Sequence, residues 1–199
     1  MLSFPPESGF DELILASGSR YRAELLGRLR LPFRPVAADI DESPLPEEST
    51  AALVRRLSRE KALHLRRSHP IAAIVGSDQA ASLGDEHLGK PGTRTRAIRQ
   101  LERISGRTVS FHTGLALCLP DRILEAQDVT TVRVRTLSAA EIERYVDAEP
   151  AFDCAGSFKC EGLGIGLFDA IESRDPTALI GLPLIALSRL LREAGLAVP

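Results

Sequence analysis

Leu13-Ile14-Leu15-Ala16-Ser17-Gly18-Ser19-Arg20-Tyr21-Arg22 is the stretch from which the fold is read. Four apolar residues suit a short buried strand, and Ser17-Gly18-Ser19 suits a tight polar loop. Residues 21–29 then place Ala23, Leu25, Leu26 and Leu29 on one face of a helix. Strand, loop and helix in that order form the repeating unit of α/β folds. Such a loop can also aim backbone N–H groups, hydroxyls and a helix dipole at an anion.

The same alternation continues outward. Residues 33–37 read as a second strand, and residues 39–48, with Pro44 and Pro46, as an acidic loop. Residues 50–67 form a longer helix with Leu53, Val54, Leu57, Ala62 and Leu65 on its apolar side and a basic opposite side. Residues 71–76 read as a buried strand that ends at Ser77-Asp78-Gln79, followed by a hairpin turn at Gly84-Asp85. The spacing predicts a helix over 94–104, stopped by Ser105-Gly106. Residues 109–119 and 129–134 read as paired strands, with Val132 and Val134 alternating with Arg133 and Arg135. Ser138 and Glu141 make a capping box for a helix through Val146. A Gly-rich segment over 155–166 and a final helix over 184–194 complete the chain. The class predicted is α/β with a mixed sheet, as one domain over 11–199 preceded by a disordered extension over 1–10.

Composition narrows the function classes. The chain has 199 residues, 44% hydrophobic and 26% charged, with a net charge of −2. That balance gives no general attraction to nucleic acid or an anionic membrane, so a bound polyanion must be met by locally placed cations. No apolar run approaches the ~20 residues of a membrane-spanning helix, and the N-terminus lacks the pattern of a secretory signal. Three cysteines, Cys118, Cys154 and Cys160, are too few for a disulfide framework and lack zinc-ligand spacing. Together these features point to a cytoplasmic protein.

Four groups of residues could carry chemistry. In the first loop, Ser17 and Ser19 are either helix caps or anion contacts, and Arg22 adds a cation with the fork geometry that suits phosphate. It is not a Walker A loop, because the Gly-Lys-Ser/Thr ending is absent. The second group is acidic. Asp39, Asp41 and Glu42 share a loop that reads as solvated, while Asp78, at the end of its strand, could activate water directly or through a metal. Magnesium or manganese bound with a triphosphate needs one or two such carboxylates. The third is Lys61 and Lys90: Lys61 reads as part of a solvated basic face, whereas Lys90, fixed between Gly89 and Pro91, has a constrained backbone. Positioned cations of this kind stabilise charge on polyphosphate oxygens. The fourth is Cys154-Ala155-Gly156-Ser157-Phe158-Lys159-Cys160-Glu161-Gly162, which is either a bend between strands or a ligand loop. In the second case Glu161 could accept hydrogen bonds from a guanine edge.

In order and spacing these groups resemble the Maf family. Its opening motif Ala-Ser-x-Ser-Pro-x-Arg is matched by Ala16-Ser17-Gly18-Ser19-Arg20-Tyr21-Arg22. The resemblance runs on through Asp41-Glu42, Arg59-Glu60-Lys61-Ala62, Gly76-Ser77-Asp78-Gln79, Gly89-Lys90-Pro91, Ser105-Gly106, Thr113-Gly114 and Gly181-Leu182-Pro183, about residues 13 to 195. It implies an elongated mixed sheet shared with inosine triphosphate pyrophosphatases and a cleft between two lobes. It also implies hydrolysis of a nucleoside triphosphate to a monophosphate and pyrophosphate with Mg²⁺ or Mn²⁺, and a homodimer. Asp78 would be the proton acceptor and a metal ligand with Glu42, while Ser17, Ser19, Arg22, Lys61 and Lys90 would bind the phosphates. Tyr21, Gln79 and Glu161 would set specificity. Those three residues resemble the branch acting on 7-methyl-GTP rather than the one acting on dTTP and UTP, which has Arg, Thr and Gln there. An N7-methylated guanine is cationic, so Tyr21 could stack on it and Glu161 could pair with its edge. The alternatives are a pyrophosphatase for dTTP, UTP or other noncanonical nucleotides, and a non-catalytic nucleotide-binding regulator of cell division. Arg20, where the family usually has Pro, departs from the pattern.

Overall fold

A computed structural model describes residues 9–198. The extension predicted to be disordered lies almost wholly outside the described residues. One mixed sheet of seven strands runs in the order β2-β1-β3-β5-β6-β7, with β4 paired to β3. Its strands are β1 (Leu13–Leu15), β2 (Arg34–Pro35), β3 (Ala73–Leu83), β4 (Glu86–Leu88), β5 (Thr108–Cys118), β6 (Ile123–Val134) and β7 (Phe168–Glu172). β1 is parallel to β2 and β3, and the remaining pairings are antiparallel. The helices are α1 (Arg20–Gly27), α2 (Thr50–Arg66), α3 (Arg94–Ile104), α4 (Ala139–Ala148) and α5 (Leu184–Glu193). The mixed sheet flanked by helices is the predicted class.

Period-two alternation sorts the core into separate packets. At one end of the sheet, Leu13, Leu15, Val75, Leu115 and Leu117 pack on α1 and α5 through Leu25, Leu26, Leu187 and Leu190. The opposite face of the same strands offers Ile14, Ile74, Ala116 and Cys118 to Ala62 and Leu65 of α2. At the other end, Ala81, Leu83, Val109, Phe111, Val132 and Val134 pack on Leu101 and Ile104 of α3 and on Ile142 and Val146 of α4. The long strands β3 and β5 therefore belong to two lobes, and their polar middles form the waist.

That arrangement corrects two sequence readings. Asp78 does not lie beyond a strand end, because β3 continues five residues past it and pairs with β5 from Ile74 to Ser82. The polar run Ser77-Asp78-Gln79 resembles a strand terminus, yet its side chains find partners across the waist. Lys61 does not lie on a solvated face: it is 5% exposed. It follows Val54 and Leu57 and precedes Leu65 at helical spacing, within the stripe that packs on the sheet. β7 follows the Gly-rich segment as an edge strand that the composition did not signal.

α2 approaches the waist closely. A Cβ on Gly76 would stand 2.0 Å from the Ser58 carbonyl oxygen, and one on Gly114 would stand 2.3 Å from that of Val54. Both positions need glycine for the helix backbone to lie against the sheet. The acidic loop is fastened to α2 by Glu48, which accepts from Arg56 Nε and Nη2 at 2.7 Å each and from the Leu45 N–H at 3.0 Å. The Arg56 hydrogen bonds, acting against burial, pull the Glu48 carboxyl from 4.5 down to about 2. A depressed folded-state pKa stabilises the fold above the unfolded value and loses that contribution as pH falls through the folded one. Stability followed by urea denaturation is therefore expected to decline from about pH 4.5 toward about pH 2. Glu48→Gln should be less stable near neutrality and show a shallower acid decline.

Candidate active site

The waist opens into a cleft of about 760 Å³ that gathers most of the sequence-predicted residues: Ser17, Ser19, Tyr21, Arg22, Glu42, Lys61, Asp78, Gln79 and Lys90. Its size is that of a nucleotide-scale pocket. Glu161 lies instead in an adjoining cavity of about 130 Å³ with Cys154, Phe158, Lys159 and Leu179. Ser19, Tyr21, Arg22, Gln79 and Lys90 border both spaces. Asp39 and Asp41 do not line the cleft. Asp41 accepts the Ser43 N–H at 2.9 Å and serves its own turn.

At the centre, Lys61 Nζ stands 2.5 Å from Asp78 Oδ1 and 2.7 Å from Glu42 Oε1. The contact spans α2, the middle of β3 and the acidic loop. Lys61 and Asp78 are buried, whereas the Glu42 side chain is half exposed toward the cleft. Burial works to raise the Glu42 pKa, but the hydrogen bond and charge of Lys61, with Lys90 and Arg22 further off, outweigh it and hold the carboxyl below its ordinary range.

The first loop both caps and points inward. Ser19 Oγ accepts the Arg22 N–H at 3.4 Å as the cap of α1, so the helix-cap reading holds for this residue. Ser17 Oγ accepts from the Ser19 N–H at 3.1 Å and from Arg22 Nη1 at 3.3 Å. Arg22 Nε donates to the Gly181 carbonyl at 2.9 Å, which ties α1 to the segment before α5. Burial lowers the Arg22 pKa, while Asp78 and Glu42 oppose the shift. Lys90 is exposed on the rim. Four cations, Arg20, Arg22, Lys61 and Lys90, thus line one cleft with three carboxylates, Glu42, Asp78 and Asp153, in a protein of net charge −2, the local concentration that a polyanion requires.

Gln79 has a positioning task visible in its contacts. Its side-chain nitrogen donates to the Ala178 and Leu179 carbonyls at 2.7 and 2.9 Å and to Thr113 Oγ1 at 3.3 Å. Ser77 Oγ donates to the Gly181 and Gly114 carbonyls. These residues fasten the 178–181 segment, which walls the smaller cavity. Two residues that sequence reasoning missed hold the opposite wall. Tyr145 Oη accepts the Lys159 N–H at 3.1 Å and donates to Glu149 Oε2 at 3.3 Å, while Glu149 accepts the Gly164 N–H at 3.1 Å. The signal available was weak: Tyr145 and Glu149 are four residues apart at the end of a helix.

Hard oxygens suited to Mg²⁺ or Mn²⁺ are present in Glu42 and Asp78. Among the described residues no group of three or more His, Cys, Asp or Glu side chains could hold a metal alone. A cation here would draw its remaining ligands from substrate phosphates and water, the usual mode for Mg²⁺. The residues fit such a shared site.

Comparison with known proteins gives the family. The protein called 7-methyl-GTP pyrophosphatase in Xanthomonas axonopodis pv. citri (strain 306) is 59% identical over 187 residues, covering 94% of this chain and 98% of that protein. The protein of the same name in Bordetella pertussis (strain Tohama I / ATCC BAA-589 / NCTC 13251) is 50% identical over 196 residues, covering 98% of this chain and 96% of that one. Among solved structures, a HAM1 protein from Coxiella burnetii shares 17% identity with a TM-score of 0.44, covering 62% of this chain and 72% of that one. The Staphylococcus aureus Ham1 protein shares 10% with a TM-score of 0.42, over the same fractions. At these scores neither structure bears on fold or function. The profile described as Maf-like protein matches residues 12–194, and this chain belongs to the Maf family.

Proposed function

We propose that this chain is a nucleoside triphosphate pyrophosphatase that hydrolyses 7-methyl-GTP to 7-methyl-GMP and pyrophosphate. The observation that carries the reading is the buried Lys61 ammonium between Asp78 and Glu42, facing a cleft bordered by Arg22 and Lys90. Relatives of that name at 50–59% identity over nearly the whole chain support the substrate.

Each residue has a task in this reading. Lys61 engages Asp78 Oδ1, and Oδ2 makes no hydrogen bond among the described residues. Oδ2 takes the proton of the attacking water as its oxygen bonds to the α-phosphorus. The bond from that phosphorus to the bridging oxygen breaks, and its electron pair leaves with pyrophosphate. Arg22 and Lys90 meet the charge that builds on the phosphate oxygens, and Ser17 and Ser19 orient them. Glu42 and Asp78 would hold Mg²⁺ or Mn²⁺ with the substrate, and the cation would neutralise phosphate charge. The smaller cavity takes the base: Tyr21 offers a ring face to a cationic purine, and Glu161 accepts from its N1–H and N2 amino group. Gln79 shapes the wall beside them. The homodimer and the cytoplasmic location belong to the same reading. Light scattering tests the first. Cell fractionation tests the second.

Turnover of 7-methyl-GTP, GTP, dTTP and UTP measured side by side should favour 7-methyl-GTP, and a preference for dTTP or UTP rejects the substrate assignment. Asp78→Asn keeps an acceptor for Lys61 but cannot take a proton. It should lower kcat by about 10²–10⁴-fold with nucleotide binding largely kept. Wild-type turnover by this variant removes Asp78 from the mechanism. Chelation of divalent cations should bring hydrolysis to background, with recovery on adding Mg²⁺ or Mn²⁺.

A further inference from the structure

Tyr21 already carries a cation. Arg20, the exposed first residue of α1, places its guanidinium carbon 4.8 Å from the centre of the Tyr21 ring. Its Nη2 also donates to the Tyr21 hydroxyl at 3.0 Å. Arg20 borders the larger cleft and not the smaller cavity, whereas Tyr21 borders both. The guanidinium thus lies on the side of the larger cleft, while Lys159, which borders the smaller cavity, also interacts with the Tyr21 side chain.

A ring has one π system shared by its two faces. A cationic base stacking where Arg20 lies must displace it. A base stacking on the opposite face meets a ring whose electrons are already drawn toward the guanidinium. Displacing the guanidinium costs a cationic and a neutral base alike, so the penalty specific to a cationic base is the one it meets on the opposite face. Arg20 also adds positive charge beside the 17–22 loop. That charge favours every polyphosphate alike, whatever base it carries.

We infer that Arg20 is a specificity-setting residue: by occupying the Tyr21 ring it holds down the preference for N7-methylated over unmethylated guanine nucleotides while strengthening the grip on the triphosphate of both. This rests on the reading that Tyr21 faces the base. It assigns to the chain a broader guanine-nucleotide range than Tyr21 and Glu161 alone would give.

The test is the ratio of kcat/KM for 7-methyl-GTP over GTP in the wild type, Arg20→Ala, Arg20→Gln and Arg20→Lys. The ratio is expected to rise roughly two- to fivefold in the Ala and Gln variants, the size of an exposed cation–π contact, and to stay near wild type in the Lys variant. KM should rise for both substrates together when the charge is lost. Adding Arg20→Ala to Tyr21→Ala should leave the ratio where Tyr21→Ala alone puts it, which a general effect on helix α1 would not produce. An unchanged or lower ratio in both the Ala and Gln variants overturns the inference while leaving the pyrophosphatase reading intact. A wild type that prefers dTTP or UTP to both guanine nucleotides overturns the substrate reading and this inference with it.

Discussion

A lysine ammonium with 5% of its residue exposed cannot stay charged inside a protein without compensation. Lys61 has that compensation in Asp78 and Glu42, and much of the structure serves to deliver the three groups to one point. Gly76 and Gly114 let α2 lie directly on the sheet, which brings Lys61 within 2.5 Å of Asp78. Glu48 and Arg56 fasten the acidic loop to the same helix, which brings Glu42 to the other side of the ammonium. Removing one partner from a buried pair costs about 3–5 kcal/mol, because the remaining charge stays desolvated. The cluster is therefore held from the helix, the sheet and the acidic loop.

The electrostatic design is local. A net charge of −2 would repel a triphosphate at long range, yet Arg22, Lys61 and Lys90 converge from α1, α2 and the turn after β4 on one cleft. Arg22 is also constrained. Its guanidinium bonds Gly181 and Ser17 at once, so it meets an anion from a fixed position with little rotamer entropy left to lose. Lys90 is exposed and Glu42 half exposed, which leaves the mouth of the cleft able to adapt.

Much of this was legible in the sequence where one physical rule dominated. The helix Arg94–Ile104 matches its predicted bounds because periodicity and the Ser105-Gly106 stop agree. The Ser138–Glu141 capping box forms as read, since it depends only on residues three apart. Reading failed where tertiary contacts override local preference. Ser77, Asp78 and Gln79 look like a strand terminus until β5, α2 and the 178–181 segment supply their partners. Lys61 resembles its basic neighbours until its place between Leu57 and Leu65 is weighed above its charge. The Tyr145–Glu149 support could not be inferred, because nothing local says that Gly164 will come to lie against the end of α4. The site residues were found chiefly through family resemblance, while the fold class came from alternating hydrophobic patterns.

Asp78 and Gln79 are adjacent in β3 yet work on opposite sides of the sheet. One turns to Lys61 on α2, the other to the carbonyls of Ala178 and Leu179. The pleat alone divides their labour. A single-residue insertion or deletion between Val75 and Asp78 would turn the carboxylate toward the C-terminal segment and the amide toward α2. Evolution can therefore vary this strand by exchanging side chains, but hardly by changing its length.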